Sequence, residues 1–90
     1  MTKAWSEVRE DIKSLTASEK EELTFTASLV SEIVKRRIDL GLTQRELSKK
    51  CGIPQSAIAR LETLDVTPRL DTIFKLIGPL GIKLKIEILN

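Results

Sequence analysis

Apolar positions recur along most of this chain with a helical period, and only at its end with a period of two. Between residues 4 and 14, Trp5, Val8, Ile12 and Leu15 stand three or four apart on a charged segment, which predicts a short amphipathic helix. So few turns do not hold in water alone, so the stripe must be covered by its own subunit or by a partner protein. Leu15-Thr16-Ala17-Ser18 breaks the pattern. Either Thr16 or Ser18 suits an N-cap, because Glu19 and Glu21 each stand three residues on. Leu23, Ala27, Val30, Ile33 or Val34, and Ile38 then predict a long helix that reaches Leu40 and ends at Gly41. It is acidic at its start and basic at its end through Lys35, Arg36 and Arg37, as the helix dipole prefers. Thr24, Phe25 and Thr26 are weak helix formers and mark a place for a bend or break.

From Thr43 to Leu61 the pattern shortens to two small helices around a tight turn. Thr43 and Glu46 have capping-box spacing, each able to satisfy the other's backbone amide. Leu47 and Cys51 fall on one face, with Arg45, Lys49 and Lys50 on the others. Gly52 stands where a left-handed residue ends a helix, and Ile53-Pro54 restarts the chain. The second helix, from about Gln55 to Thr63, turns Ile58 and Leu61 inward and keeps Gln55, Ser56, Ala59 and Arg60 on its other face. Those are side chains that read base edges: glutamine pairs doubly with adenine, arginine with guanine, serine with either, and a small apolar group meets a thymine methyl.

Thr67-Pro68 is a helix-start signal, and Leu70, Ile73, Phe74 and Ile77 predict one inward face. Proline at 79 lacks the amide that would bond the Lys75 carbonyl, which predicts that this helix ends or tightens near Gly78. Beyond it, Ile82, Leu84, Ile86 and Ile88 alternate with Lys83, Lys85 and Glu87, the pattern of a β-strand. No second strand is written in the chain, so its ladder groups and apolar face require a partner. Pairing with its own copy across a two-fold axis is the expectation; extending a partner's sheet is the alternative.

Taken together, Arg37, Gly41-Leu42-Thr43-Gln44, Leu47, Gly52-Ile53, Ile58, Leu61-Glu62, Pro68, Ile73 and Leu80-Gly81 resemble the signature of the Cro/lambda-repressor (XRE) helix-turn-helix family over residues 33–81. The resemblance implies an all-α, lambda-repressor-like bundle. Its parts are an N-terminal helical extension (1–32) running into the first helix of the core, a DNA-binding domain (33–81), and a C-terminal dimerisation strand (82–90). It also implies that Arg37 and Glu62 pair, as a device for holding geometry. Gln44 would grip a phosphate and brace Gln55, Gln55 and Ser56 would face bases, and Arg60 would reach a base or phosphate. Thr43, Arg45 and Thr63 are expected on the DNA backbone. Extra helices before the motif and a strand after it look like antitoxins of type II toxin–antitoxin modules, the HigA-like group in particular. Such proteins neutralise a RelE-like mRNA interferase and repress their own operon. Trp5, Val8 and Ile12 are the expected toxin contacts.

Composition narrows the picture. At 90 residues, 41% of them apolar, one small domain is expected, and dimerisation is the simplest way to add burial. The net charge of +2 says little, but its placement says more. Residues 1–34 hold four basic and seven acidic groups, residues 35–62 hold seven basic and three acidic, and residues 63–90 add +1. The positive field therefore lies over the expected reading head. No run approaches the ~18 apolar residues of a membrane span, and the acidic N-terminus is unlike a signal peptide, so a cytoplasmic location is expected. With no histidine and a single cysteine, placed as a small core residue, the sequence offers no imidazole base, no nucleophilic triad and no metal site. Neither a cofactor nor a small-molecule ligand is expected. The partners expected are operator DNA, a second copy and a cognate toxin. Two other readings are a stand-alone phage or metabolic repressor, and a protein-interaction module that keeps the fold without DNA contacts. Such a module would have no need of Gln44, Gln55, Ser56 and Arg60.

Overall fold

The computed structural model describes residues 16–89, so the expected helix over 4–14 and its Trp5, Val8 and Ile12 lie outside the described residues. Four helices make up the described chain: α1 (Ala17–Asp39), α2 (Gln44–Cys51), α3 (Gln55–Glu62) and α4 (Leu70–Leu80). Of the two candidate caps for α1, Thr16 is the one used. Its hydroxyl accepts from the Glu19 amide at 3.1 Å and donates to the Glu19 carboxylate at 2.9 Å. The helix runs unbroken through Thr24-Phe25-Thr26. Weak propensity at three positions does not outweigh helix already formed on both sides, because propagation is cooperative. Glu19 at one end and Arg36 and Arg37 at the other complement the dipole.

Val30 and Ile33 of α1, Leu47 of α2, Ile58 and Leu61 of α3, and Ile73, Leu76, Ile77 and Leu80 of α4 form one core with Ile53 from the turn. α2 packs on α3 and α4, and α1 closes over both. Only the C-terminal half of α1 joins this core. The half before Val30 contributes no buried residue, and Ile38, at the far end of the predicted stripe, is 60% exposed.

α4 departs from expectation in two ways. Its inward face is Ile73, Leu76, Ile77 and Leu80, while Leu70 and Phe74 point to solvent. The helix also continues past Gly78-Pro79 to Leu80. Only one amide is lost, on an exposed side of the last turn where water can reach the Lys75 carbonyl. Two further features hold the end. Gly81 at φ 69 lets the amides of Gly81 and Ile82 fold back onto the carbonyls of Gly78 and Ile77. Arg36 donates through Nε to the Leu80 carbonyl at 2.8 Å, tying α1 to the end of α4.

The α3–α4 loop follows the same C-terminal pattern without a glycine. The Leu64 and Asp65 amides return to the carbonyls of Leu61 and Arg60, and Leu64 takes the left-handed position at φ 60. Residues 82–89 form no strand within the chain. Ile82 and Leu84 pack against the core, whereas Ile86, Ile88 and Leu89 are almost fully exposed.

Candidate nucleic-acid interface

The turn between α2 and α3 is fixed from several directions. Thr43 Oγ accepts from the Glu46 amide and the Glu46 carboxylate accepts from the Thr43 amide, both at 3.0 Å, closing the capping box. These contacts hold the Glu46 carboxyl below its usual range, the backbone hydrogen bond from Thr43 being the largest cause and the Thr43 side chain the next. At the other end Gly52 stands at φ 76 and returns its amide to the Ser48 carbonyl at 2.9 Å. The Ser48 hydroxyl donates to the Ile53 carbonyl across the turn, and Ile53 is buried. Cys51 is half-buried against the core, as its small apolar character suits.

α3 is placed against this turn by Ile58 and Leu61, so its opposite side faces solvent. Gln55, Ser56 and Arg60 are exposed and Ala59 is half-buried beside them. Ala57, absent from the expected set, is exposed too. Arg45 and Thr43 are exposed at the start of α2, next to half-buried Gln44. The Thr63 hydroxyl donates back to the carbonyls of Ala59 and Arg60 at 3.3 and 3.2 Å, closing its own helix.

One hydrogen-bonded chain organises the polar side. Arg37 of α1 grips Glu62 with two bonds, Nε to Oε2 at 2.7 Å and Nη2 to Oε1 at 2.9 Å, and donates from Nη1 to the Leu42 carbonyl at 2.8 Å. Both side chains are largely buried, at 13% and 7% exposure, so a forked and fully bonded pair is what makes their burial tolerable. Glu62 Oε1 also accepts from Gln44 Nε2 at 2.9 Å, and Gln44 Oε1 accepts from Gln55 Nε2 at 3.0 Å. No local pattern announces the Gln44–Glu62 link, because the two residues are 18 apart and no periodicity joins them.

The direction of this chain has a chemical consequence. An ionised carboxylate only accepts, so Gln44 must turn its NH₂ toward Glu62 and its oxygen toward Gln55. Gln55 must in turn spend one N–H on Gln44. Gln55 is exposed, and its own oxygen and second N–H take no partner among the described residues. No buried side-chain polar atom lacks a partner among the described residues.

A helix-turn-helix unit with a polar, exposed second helix defines a class, and comparison with known proteins agrees. The helix-turn-helix family HTH_3 matches residues 33–86. A Haemophilus influenzae protein described as an uncharacterized HTH-type transcriptional regulator is 34% identical over 82 residues, covering 91% of this chain and 82% of the relative. A chain from a toxin–antitoxin module of Streptococcus pneumoniae superposes with a TM-score of 0.69 at 30% identity, covering all of this chain and 97% of its own. The chain belongs to the XRE-type helix-turn-helix family of transcriptional regulators. No helix among the described residues is long and apolar enough to cross a membrane.

Proposed function

We propose that this protein is the antitoxin of a type II toxin–antitoxin module, of the HigA-like kind. In this reading it binds and neutralises a RelE-like mRNA interferase in the cytoplasm and represses its own operon as a homodimer. The observation that carries the DNA half is the exposed face of Gln55, Ser56, Ala59 and Arg60, with Gln55 held ready through Gln44 and Glu62. The likeness to a toxin–antitoxin module chain over the full length supports the other half.

In this reading α3 of each subunit enters the major groove, and the two half-sites lie about 34 Å apart, one turn of duplex. Gln55 offers one acceptor and one donor side by side, the complement of adenine N6–H and N7. Ser56 and Arg60 reach neighbouring base edges or phosphates, and Ala59 meets a thymine methyl. Thr43, Gln44, Arg45 and Thr63 set register on the backbone, and the basic balance of residues 35–62 supplies the field for phosphate. Residues 82–88 join two subunits: Ile86 and Ile88 expose apolar side chains that a second copy would cover, beside Ile82 and Leu84 already seated on the core.

Fluorescence anisotropy on operator variants tests this. Gln55→Ala is expected to cost about 1–3 kcal/mol on the preferred sequence and to erase discrimination at one or two base pairs. Arg45→Ala should weaken binding to every sequence alike and flatten the salt dependence. Equal losses on all sequences for both variants would show that α3 does not read bases.

A further inference from the structure

The Arg37–Glu62 pair carries one bond more than a brace between α1 and α3 requires. Glu62 accepts twice from Arg37, and a third time from Gln44 Nε2 at 2.9 Å. That third bond comes from α2 and enters on Oε1, the oxygen that Arg37 Nη2 already uses. Glu62 and Gln55 stand at opposite ends of α3, and Gln44, the first residue of α2, bridges them.

The bridge has a direction. Each glutamine amide holds an accepting oxygen and a donating nitrogen on one flat group, and its shape alone does not decide which end goes where. A carboxylate accepts and never donates, so the Gln44 nitrogen faces Glu62 and its oxygen is left to take Gln55 Nε2 at 3.0 Å. Gln55 therefore keeps an acceptor and one donor. In a chain run the other way, Gln55 would use its oxygen on Gln44 and keep two donors. The two arrangements suit different bases: an acceptor with a donor matches N6–H and N7 of adenine, and two donors match O6 and N7 of guanine.

We propose that Glu62 is a positioning residue for base choice: its carboxylate sets the direction of the Glu62–Gln44–Gln55 chain, and that direction makes Gln55 favour adenine over guanine. This rests on the reading of α3 as the base-reading helix given above. Glu62 is largely buried and acts only through Gln44. Arg37 contributes by holding both carboxylate oxygens in place, so that the Gln44 amide meets an acceptor in a fixed position.

The test reads a ratio, adenine over guanine at the base pair that Gln55 contacts, by fluorescence anisotropy on the full chain. The probes are a duplex selected from a random library by the wild-type chain and its copies with single base pairs exchanged. Gln55→Ala identifies the pair concerned, as the one whose exchange it no longer registers. Wild type should prefer adenine there about tenfold or more. Glu62→Gln keeps the size of the side chain but offers Gln44 a donor as well as an acceptor, and the preference should fall at least about threefold. Gln44→Lys leaves the Arg37–Glu62 fork in place and presents a donor to both Glu62 and Gln55. Gln55 should then turn its oxygen inward, and the preference should pass to guanine. A partly unfolded variant loses affinity for every duplex by one factor, and the added lysine charge raises it for every duplex, so neither moves the ratio. A wild-type ratio in either variant overturns the proposal and leaves base reading by Gln55 intact. If Gln55→Ala alters no base preference, or alters it only where adenine is not preferred, adenine reading by Gln55 fails and this proposal with it.

Discussion

The polar chain around Glu62 and the tail after Gly81 both lie at the margin of the core, and they are finished to different degrees. Around Glu62, side chains from three helices answer one another: Arg37 from α1, Gln44 from α2, Gln55 and Glu62 from α3. No buried side-chain polar atom among the described residues lacks a partner, and the exposed Gln55 keeps an oxygen and an N–H free. In the tail, Ile82 and Leu84 find the core, but Ile86, Ile88 and Leu89 are 94%, 86% and 91% exposed. The polar chain is complete within the described residues, whereas the tail's outer apolar side chains find no cover among them. That contrast separates a feature the fold itself finishes from one that a further contact would finish.

The sharpest way to break the contrast is to remove Glu62. Glu62→Ala leaves the largely buried Arg37 guanidinium with the Leu42 carbonyl alone and takes the acceptor from Gln44. Breaking one side of such a pair costs about 3–5 kcal/mol, and the residual exposure here favours the lower end. Urea unfolding measures it. A loss below about 1 kcal/mol would mean that the polar chain does not hold α1 to α3. The tail predicts the opposite outcome. Replacing Ile86 and Ile88 by serine together should change the unfolding free energy of the folded unit by less than about 0.5 kcal/mol, as for exposed positions generally. The same change should abolish a dimer seen by light scattering at micromolar concentration. A dimer that survives it would place the seam elsewhere.

Much of this contrast was legible in the residues. Thr43, Glu46 and Gly52 mark α2 because caps and left-handed stops are local chemistry, carried by neighbours in sequence. The exposed face of α3 was legible because Ile58 and Leu61 leave it only one way to turn. In α4, Leu70, Ile73, Phe74 and Ile77 fit the helical period, but so do Ile73, Leu76, Ile77 and Leu80. Periodicity alone does not choose between two overlapping stripes; packing against α1 and α2 does. Pro79 predicts a helix that ends or tightens near Gly78 because the lost amide is local, whereas the Arg36 bond to the Leu80 carbonyl spans 44 residues. Leu64 gave no signal at all, since nothing in leucine announces a left-handed backbone.

Leu64 gives a prediction of intermediate size. Leu64→Gly should raise stability by about 1 kcal/mol, because the closing turn of α3 keeps its two backbone bonds and loses the strain. Thermal unfolding at fixed pH reads this. Destabilisation of the same size would mean that the leucine's partial burial contributes more than its backbone costs.

The smallest effect concerns the capping box at the start of α2. The Glu46 carboxyl lies below its ordinary value of 4.5, chiefly because the Thr43 amide bonds its charged form, with Lys49 and Lys50 adding a lesser pull. A carboxyl whose folded pKa is depressed binds fewer protons folded than unfolded near that pKa. It therefore adds stability that is present above pH 4.5 and fades as pH falls through the lowered folded value. Glu46→Gln keeps an acceptor for the Thr43 amide but removes the charge. The stability difference between wild type and this variant should be flat from pH 7 to about 5.5 and shrink below the ordinary glutamate value. Asp71 has a pKa depressed in the same sense by the Arg69 side chain, so the comparison must be between chains that both keep it. Thr43→Ala removes the other half of the box and should cost about 1 kcal/mol at neutral pH. A wild-type-to-Gln difference that does not change with pH would show that the box acts through its shape alone and that the charge on Glu46 contributes nothing to the start of α2.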